Sequence, residues 1–265
     1  MSEGPQVRHV TERLRRLLEG QAIAHCKTTR ESLREFSETV VGSHVRRVFC
    51  KGKHIFIEFA SGRFLQNHLL MRGRWRSIKG RLLFLPSEMW LALEVDNATV
   101  CNINGQVLRV LDSDGLQRQL DLLGPDVMSS ECSTERIIEA IRQHDISVGE
   151  VLLDQSVLSG IGNVAKSESL FLAGVHPEVV ASALDSHRLA RLAESIRHVM
   201  WESYNAGGRW THRVYRRAGM QCFRCGSRIT MIRQGKQSRS TYLCPTCQRC
   251  QPDVPSAGSG RWPGR

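Results

Sequence analysis

The chain has 265 residues, 41% of them hydrophobic, which is enough for one large hydrophobic core or two moderate ones. Lys and Arg total 37 against 26 for Asp and Glu, giving a formal net charge of +11 that is dispersed along the length. This charge favours nucleic acid as the partner, with acidic membrane surfaces as the alternative. The sequence lacks the roughly 20 consecutive apolar residues of a membrane-spanning helix and the apolar core of a signal peptide. We therefore expect a cytoplasmic monomer that does not enter membranes.

The first predicted element is an amphipathic helix over residues 5–19. Pro5 suits the first helical position, apolar residues recur every three or four positions from Val7 to Leu18, and Gly20 follows them. The first four residues of the chain therefore lie at the N-terminal end of a helix.

Between residues 21 and 110, short runs of strand-forming residues alternate with Gly, Asn-Gly and Asp-Asn turns. This punctuation predicts an antiparallel β domain. The predicted strands are Arg46–Phe49, His54–Phe59, Arg81–Leu85, Trp90–Val95 and Thr99–Ile103.

After about residue 116 the spacing of apolar residues becomes helical, which predicts a second, helical domain. Its predicted helices are Leu116–Leu123, Glu135–Arg142, Val148–Leu153, Val164–Ala173 and Ser186–Tyr204. A basic connector over 206–220 leads to a cysteine-rich segment, and the Pro-, Gly- and Ser-rich residues 251–265 are typical of a disordered tail. We expect domain limits at 1–115, 116–210 and 211–250, with the tail after them.

Five of the nine cysteines lie close together near the C-terminus. Cys222 and Cys225, then Cys244 and Cys247, form two pairs with two-residue gaps, the spacing of a structural Zn²⁺ site. Cys250 forms a third such pair with Cys247; we prefer the first four cysteines as ligands of one structural Zn²⁺ ion. The alternatives are chance clustering and a pair of disulfides.

Two alternating segments between the cysteine pairs, 227–233 and 240–243, predict a β-hairpin with a polar turn over 234–238. Four sulfur ligands leave no open position on the metal, so catalysis must occur elsewhere. The hairpin carries Arg233, Lys236 and Arg239, which suits contact with a phosphate backbone.

Four ordered stretches, together with the finger, resemble one protein family. The chain starts Met1-Ser2-Glu3-Gly4-Pro5, and residues 68–73 read His-Leu-Leu-Met-Arg-Gly. Residues 153–168 contain Ser-Gly-Ile-Gly-Asn-Val-Ala-Lys-Ser-Glu, and residues 214–219 read Val-Tyr-Arg-Arg-Ala-Gly. These motifs are similar to those of the formamidopyrimidine-DNA glycosylase / endonuclease VIII family.

This resemblance implies an α+β fold in two parts. The N-terminal part would be an antiparallel β-sandwich flanked by the N-terminal helix. The C-terminal part would be a helical helix-two-turn-helix domain that carries the zinc-finger β-hairpin. The implied partner is damaged DNA, double-stranded or single-stranded.

The resemblance also places the chemistry at the N-terminus. Family members attack C1′ of the damaged nucleotide with the α-amine that removal of Met1 exposes, and an α-amine is partly neutral at pH 7. Here that residue is Ser2, where the family usually has proline, so the amine is primary and we expect weakened lyase activity. Glu3 matches the general acid/base, although an acidic residue at a helix start is otherwise usually a cap. Gln6 replaces a glutamate that is common in the family.

Further matches concern residues that contact DNA. Lys53 corresponds to the lysine that contacts the phosphate beside the lesion. The other residues that correspond to family contacts with the DNA backbone are His68, Asn163 and Arg239. Met71 matches the wedge that fills the hole left by the extruded base; the alternative for this residue is core filler. The Arg and Phe that complete this wedge in formamidopyrimidine glycosylases have no match in residues 111–115.

We therefore expect a base-excision repair DNA glycosylase that removes oxidised or otherwise modified bases and has a weak AP-lyase (β-elimination) activity. The alternative is a protein of reduced catalytic power that binds lesions or abasic sites. A zinc-finger transcription factor would leave the N-terminal motif and the Gly-Ile-Gly-Asn turn unexplained.

Overall fold

A computed structural model describes residues 2–249 of the chain. It divides into two compact units, Met1–Leu122 and Leu123–Arg265. Cys250 and the predicted disordered tail, 251–265, lie outside the described residues. Among the described helices, none combines the length and the apolar character needed to cross a membrane.

The first unit contains two four-stranded antiparallel sheets. The strand order is β1-β6-β7-β5 in one sheet and β2-β3-β4-β8 in the other. The strands are β1 (His25–Thr28), β2 (Val45–Lys51), β3 (His54–Phe59), β4 (Phe64–His68), β5 (Arg74–Lys79), β6 (Met89–Val95), β7 (Ala98–Ile103) and β8 (Val107–Leu111). The helices are α1 (Gly4–Leu18), α2 (Arg34–Thr39), which follows a 3-10 turn at Glu31–Leu33, and α3 (Ser113–Asp121).

One hydrophobic core joins the two sheets and α1. Val7 and Leu14 lie on the same face of α1, as their spacing predicts, and are buried with Ile57 from one sheet and Leu93 from the other. The expected β-sandwich with a flanking N-terminal helix is confirmed.

One predicted strand is wrong. Arg81–Leu85 belongs to the connection between β5 and β6, where Leu83 and Phe84 are 87% and 73% exposed. The strand of this region is β5, an edge strand in which Trp75 is buried and most other side chains are exposed or partly exposed. A run of apolar residues therefore does not locate the strand here, because an edge strand needs an apolar side chain only at the position that packs on the core.

Over residues 123–249, the second unit contains four α-helices around a separate core. They are α4 (Thr134–Arg142), α5 (Val148–Val151), α6 (Asn163–Ala173) and α7 (Ser186–Asn205), with a 3-10 turn at Ala181–Ala183. The side chains of Ser133, Ser147 and Asp185 accept hydrogen bonds from backbone N–H groups at the starts of α4, α5 and α7. Helix α6 is buried along almost its whole length and ends at Gly174, which has a φ of 68°.

A hairpin of β9 (Thr230–Gln234) and β10 (Arg239–Leu243) completes this unit and confirms the predicted finger hairpin. Its core is formed by Phe171 of α6 with Val214, Cys222, Ile229 and Cys244. The finger is therefore packed directly on α6. One detail differs from expectation, since Gln234 belongs to β9 and is buried rather than part of the polar turn.

Candidate functional site

Glu3 lies at the N-terminal end of α1 and is fully buried. Its carboxylate accepts from the backbone N–H of Gln6, and the Gln6 Oε1 atom accepts from the backbone N–H of Glu3 at 3.0 Å. This reciprocal pair is a capping box, and it places a carboxyl group at the positive end of the helix dipole. Gln6, which stands where the family commonly has glutamate, completes the cap without adding a second negative charge.

The segment before α1 is bonded to the loop after β4. The N–H of Ser2 donates to the carbonyl oxygen of Leu70 at 3.3 Å, and the N–H of Leu70 donates to Nδ1 of His68 at 3.0 Å. Leu70 has a φ of 48°, in the left-handed region that disfavours a side chain. One residue therefore connects the predicted nucleophile to a predicted DNA-binding histidine.

Met71 follows in the same loop and is 64% exposed. This exposure rules out the alternative of core filler. Gly73 ends the loop, and its N–H donates to Leu69 O at 2.8 Å. A Cβ atom at Gly73 would lie 2.5 Å from that same oxygen, so the loop closes only with glycine there.

Lys53 is the second residue of the two-residue turn between β2 and β3, after Gly52 with a φ of 58°. The turn brings Lys53 beside His54 and His68, which are directly opposite each other on β3 and β4 with ring centroids 4.7 Å apart. Burial lowers the pKa of His54 to about 4, with smaller contributions from His68, Lys53 and Arg109.

Burial, together with the Lys53 charge, lowers the pKa of His68 to about 4 as well. Both rings are therefore neutral at pH 7. Because His68 Nδ1 accepts from Leu70 N–H, its proton is assigned to Nε2, which is a hydrogen-bond donor.

A glutamine holds the other histidine. Nε2 of Gln66 lies 3.0 Å from Nδ1 of His54 and 3.1 Å from Oε1 of Gln119 on α3. Sequence reasoning missed this contact, since an isolated Gln in a strand carries no recognisable pattern.

In the second unit, Asn163 is the first residue of α6, directly after Gly162. Its Nδ2 donates to the carbonyl oxygen of Ser240 on β10 at 2.6 Å. Its Oδ1 is buried and has no hydrogen-bond partner among residues 2–249. The side chain thus joins the start of α6 to the finger and retains one unsatisfied acceptor.

The four predicted metal ligands come together. The Sγ atoms of Cys222, Cys225, Cys244 and Cys247 all lie within 4.8 Å of one another, with 3.9 Å between 222 and 247 and 3.5 Å between 225 and 244. Tetrahedral Zn²⁺ with bonds of about 2.3 Å requires sulfur atoms about 3.8 Å apart. The thiols therefore fit one structural zinc ion.

Hydrogen bonds from Ser227 lower the pKa of Cys225 to about 6, which favours its thiolate, whereas burial raises the pKa of Cys244 and Cys247. A bound zinc ion would supply the positive charge that keeps all four sulfurs deprotonated.

Two buried polar side chains that sequence reasoning did not single out fix the finger to the helices. Oε1 of Gln248 accepts from Cys244 N–H at 3.0 Å, while its Nε2 donates to Val175 O at 2.9 Å. The carboxylate of Glu168 on α6 accepts from three consecutive backbone N–H groups, those of residues 213–215, at 2.8–3.0 Å. Burial still raises the pKa of Glu168, against the opposite effect of those hydrogen bonds.

Arg239 begins β10 and is exposed. It is directly opposite Gln234 in the hairpin register, and its Nε and Nη2 donate to Oε1 of Gln237 at 3.0 and 2.8 Å. Ser2, Glu3, Lys53, His68 and Met71 belong to the first unit; Asn163, Arg239 and the four cysteines belong to the second.

This combination of fold and finger matches a known class of DNA repair enzyme. Residues 1–118 match the formamidopyrimidine-DNA glycosylase N-terminal domain, 123–214 match the helix-two-turn-helix domain of the same enzyme, and 221–249 match the zinc finger found in that glycosylase and in isoleucyl-tRNA synthetase.

Curated relatives and solved structures agree. A probable endonuclease 8 2 of Streptomyces coelicolor is 31% identical over 100% of both chains. The DNA-(apurinic or apyrimidinic site) lyase Nei2 of Mycolicibacterium smegmatis is 31% identical over 94% of this chain and 99% of its own. The formamidopyrimidine-DNA glycosylase of Lactococcus lactis, solved with DNA that contains an abasic site, superposes with a TM-score of 0.83 at 22% identity, covering 94% of this chain and 100% of its own. The chain belongs to the formamidopyrimidine-DNA glycosylase / endonuclease VIII family of DNA glycosylases and AP lyases.

Proposed function

We propose that this chain excises damaged bases from DNA with the α-amine of Ser2, after removal of Met1, and then cleaves the abasic site by β-elimination. The observation that supports the proposal best is the arrangement at the start of the chain. Ser2 N is held by Leu70 O, and the next residue, Glu3, presents a fully buried carboxyl group at the N-terminus of α1. The proposed nucleophile and proton donor are therefore adjacent in the chain, the first bonded to the loop after β4 and the second held at the start of α1.

In the first step, the neutral amine nitrogen bonds to C1′ of the damaged nucleotide while the bond from C1′ to the base breaks. A proton from Glu3 goes to the departing base. The amine then loses a proton, the C1′–O4′ bond opens, and O4′ takes up a proton, which leaves a Schiff base between Ser2 and C1′.

Loss of a proton from C2′ expels the 3′ phosphate, and water finally hydrolyses the Schiff base and releases the amine. Ser2 supplies a primary amine, which can form this imine. It lacks the pyrrolidine ring of the proline usual in the family, so we expect a slower lyase step than with an N-terminal proline.

The remaining site residues hold the DNA. Lys53, the neutral His68 with its Nε2 donor, and Asn163 at the start of α6 contact phosphates near the lesion, and Arg239 contacts the backbone from the finger. Met71, exposed at the tip of its loop, fills the space left by the extruded base.

Borohydride trapping tests the covalent step. Intact-mass measurement first establishes that the purified protein lacks Met1, and borohydride is then added with duplex DNA that contains an abasic site. A covalent complex is expected for the wild type and for Ser2→Gly, which keeps a primary amine. A variant that retains Met1 should give none.

Ser2→Pro supplies a further comparison, because its secondary amine should increase strand cleavage. If the mature wild type is not trapped and releases no base from a panel of oxidised lesions, the proposed activity is wrong. Binding to abasic DNA that persists unchanged in Glu3→Gln and after blockage of Ser2 would then support the alternative, a lesion-binding protein.

A further inference from the structure

A continuous chain of buried hydrogen bonds joins the zinc-finger hairpin to two helices of the second unit. Nζ of Lys166 on α6 donates to Oγ1 of Thr241 at 2.6 Å, and that hydroxyl donates to Oε1 of Gln234 at 2.9 Å. Nε2 of Gln234 donates to Oγ of Ser147 at 3.0 Å, and that hydroxyl donates to Oε2 of Glu150 on α5 at 2.6 Å. Of the five side chains in this series of hydrogen bonds, all except Glu150 are buried.

Gln234 is the central member, and both polar atoms of its side chain are hydrogen-bonded. Its second N–H donates to the carbonyl oxygen of Pro177 at 2.7 Å, which fixes the orientation of the amide, because a carbonyl cannot donate to Oε1. Gly149 makes room for the amide: a Cβ there would lie 2.3 Å from Gln234 Oε1.

The position of Gln234 in the hairpin connects this series of hydrogen bonds to Arg239. Gln234 is the last residue of β9 and pairs directly with Arg239, the first residue of β10. The four residues between them form the tip, and Arg239, directly after it, is exposed. Anchoring Gln234 to the helices therefore fixes the point from which Arg239 extends.

We infer that Gln234 and Gly149 are positioning residues that hold Arg239 in place for contact with a DNA phosphate. The inference rests on the proposed function of Arg239. Strand β10 is bonded to α6 at Ser240 and Thr241, whereas Gln234 bonds the tip end of β9 to Ser147 and Pro177. A short two-stranded hairpin is marginally stable without such support. A satisfied buried polar network gives the tip one defined orientation.

The test measures how the affinity for a duplex with a tetrahydrofuran abasic analogue depends on salt, a readout that requires no catalysis. Loss of one phosphate contact in Arg239→Ala should reduce the slope of log affinity against log salt by about 1. Gln234→Leu, of similar volume but without polar atoms, should reduce it by about the same amount. In the Arg239→Ala background, Gln234→Leu should cause no further reduction.

Gly149→Ala provides a second route, because it displaces the Gln234 amide from α5 without altering the finger sequence. Retention of one zinc ion per chain identifies the variants that are folded. Thr230→Val is the matched control: it changes an exposed residue at the opposite end of β9, whose hydroxyl donates to Leu243 O at 3.5 Å, and should leave the slope unchanged.

If Gln234→Leu and Gly149→Ala both retain zinc and the wild-type slope, the positioning role is wrong. The same holds if Gln234→Leu lowers the slope equally with and without Arg239. A wild-type slope in Arg239→Ala itself would instead refute the DNA contact of Arg239, and the positioning role would fall with it.

Discussion

The backbone N–H of Ser2 donates to the carbonyl oxygen of Leu70, 3.3 Å away, and so couples the N-terminus to the loop that follows His68 and carries Met71. Leu70 takes a φ of 48°, in the left-handed region that favours glycine. A leucine in that conformation is held there by its surroundings. The hydrogen bonds of Leu70 to Ser2 and His68 supply that restraint.

Glu3→Gln should separate base excision from strand cleavage. Glutamine keeps an oxygen that accepts from Gln6 N–H, so the capping box and the thermal stability should be nearly unchanged. Excision of an oxidised base should fall by about 100-fold or more, because the departing base no longer receives a proton. Cleavage at a preformed abasic site should fall less, since no base leaves there. Single-turnover assays on the two substrates measure both rates.

The comparison for Glu3→Gln is Gln6→Ala, which breaks the cap from the other side. It should lower the free energy of unfolding by about 1 kcal/mol while sparing the proton donor. Equal losses on both substrates in Glu3→Gln would contradict the assignment of Glu3 to base departure.

The paired histidines should make the first unit sensitive to acid. The pKa values of His54 and His68 are lowered from 6.5 to about 4, so between these limits the unfolded chain binds protons that the folded chain does not. The stability they contribute is present above pH 6.5 and is lost as the pH falls through 4. Because the His54 ring is partly exposed, we expect its contribution to the loss of folding stability to be about 1–2 kcal/mol. Urea unfolding at several pH values measures it.

His54→Phe removes one titrating group and keeps the ring stacked on Phe56, so it should flatten this pH dependence. His25→Phe, at an exposed position of β1, serves as the control and should retain the wild-type profile. An unchanged slope in His54→Phe would show that other groups cause the loss in acid.

Gly73→Ala should destabilise the first unit by about 1–3 kcal/mol, because its Cβ would lie 2.5 Å from the backbone oxygen of Leu69. The same shift would move the loop that orients Ser2 and Met71, so trapping on abasic DNA should also weaken. Thermal unfolding and borohydride trapping measure the two effects. Arg72→Ala, at the neighbouring exposed position, should leave the stability unchanged, and a similar loss there would point to general fragility of the loop.

The sequence was sufficient to predict elements with strong periodicity. Helix α1 and strand β3 occur where their patterns place them, because one face of each is buried in the core. Strand β5 was missed because its edge position requires little apolar surface. Arg81–Leu85 was mistaken for a strand because it contains a run of apolar residues, of which Leu83 and Phe84 are exposed. A local sequence pattern therefore indicates burial only for an element that packs on the core along its whole length.

The candidate site shows a similar division. Motifs were enough to single out the four cysteines, which the structure brings within metal-binding distance. The supporting contacts are long-range: Gln66 meets Gln119 across 53 positions, and Gln234 meets Ser147 across 87. A lone glutamine is typical of a polar turn, so only the folded chain could identify Gln234 as a buried anchor.

The choice between Cys247 and Cys250 as the fourth zinc ligand can be decided by metal content. Cys247→Ser should lose the ion, because its Sγ completes the set of four whose separations suit tetrahedral zinc. Cys250→Ser should retain one zinc per chain and wild-type DNA affinity. Loss of the ion should also loosen the core that Cys222 and Cys244 share with Phe171, so the second unit should unfold at lower temperature. The reverse pattern, zinc lost from Cys250→Ser and kept in Cys247→Ser, would transfer the fourth ligand to Cys250.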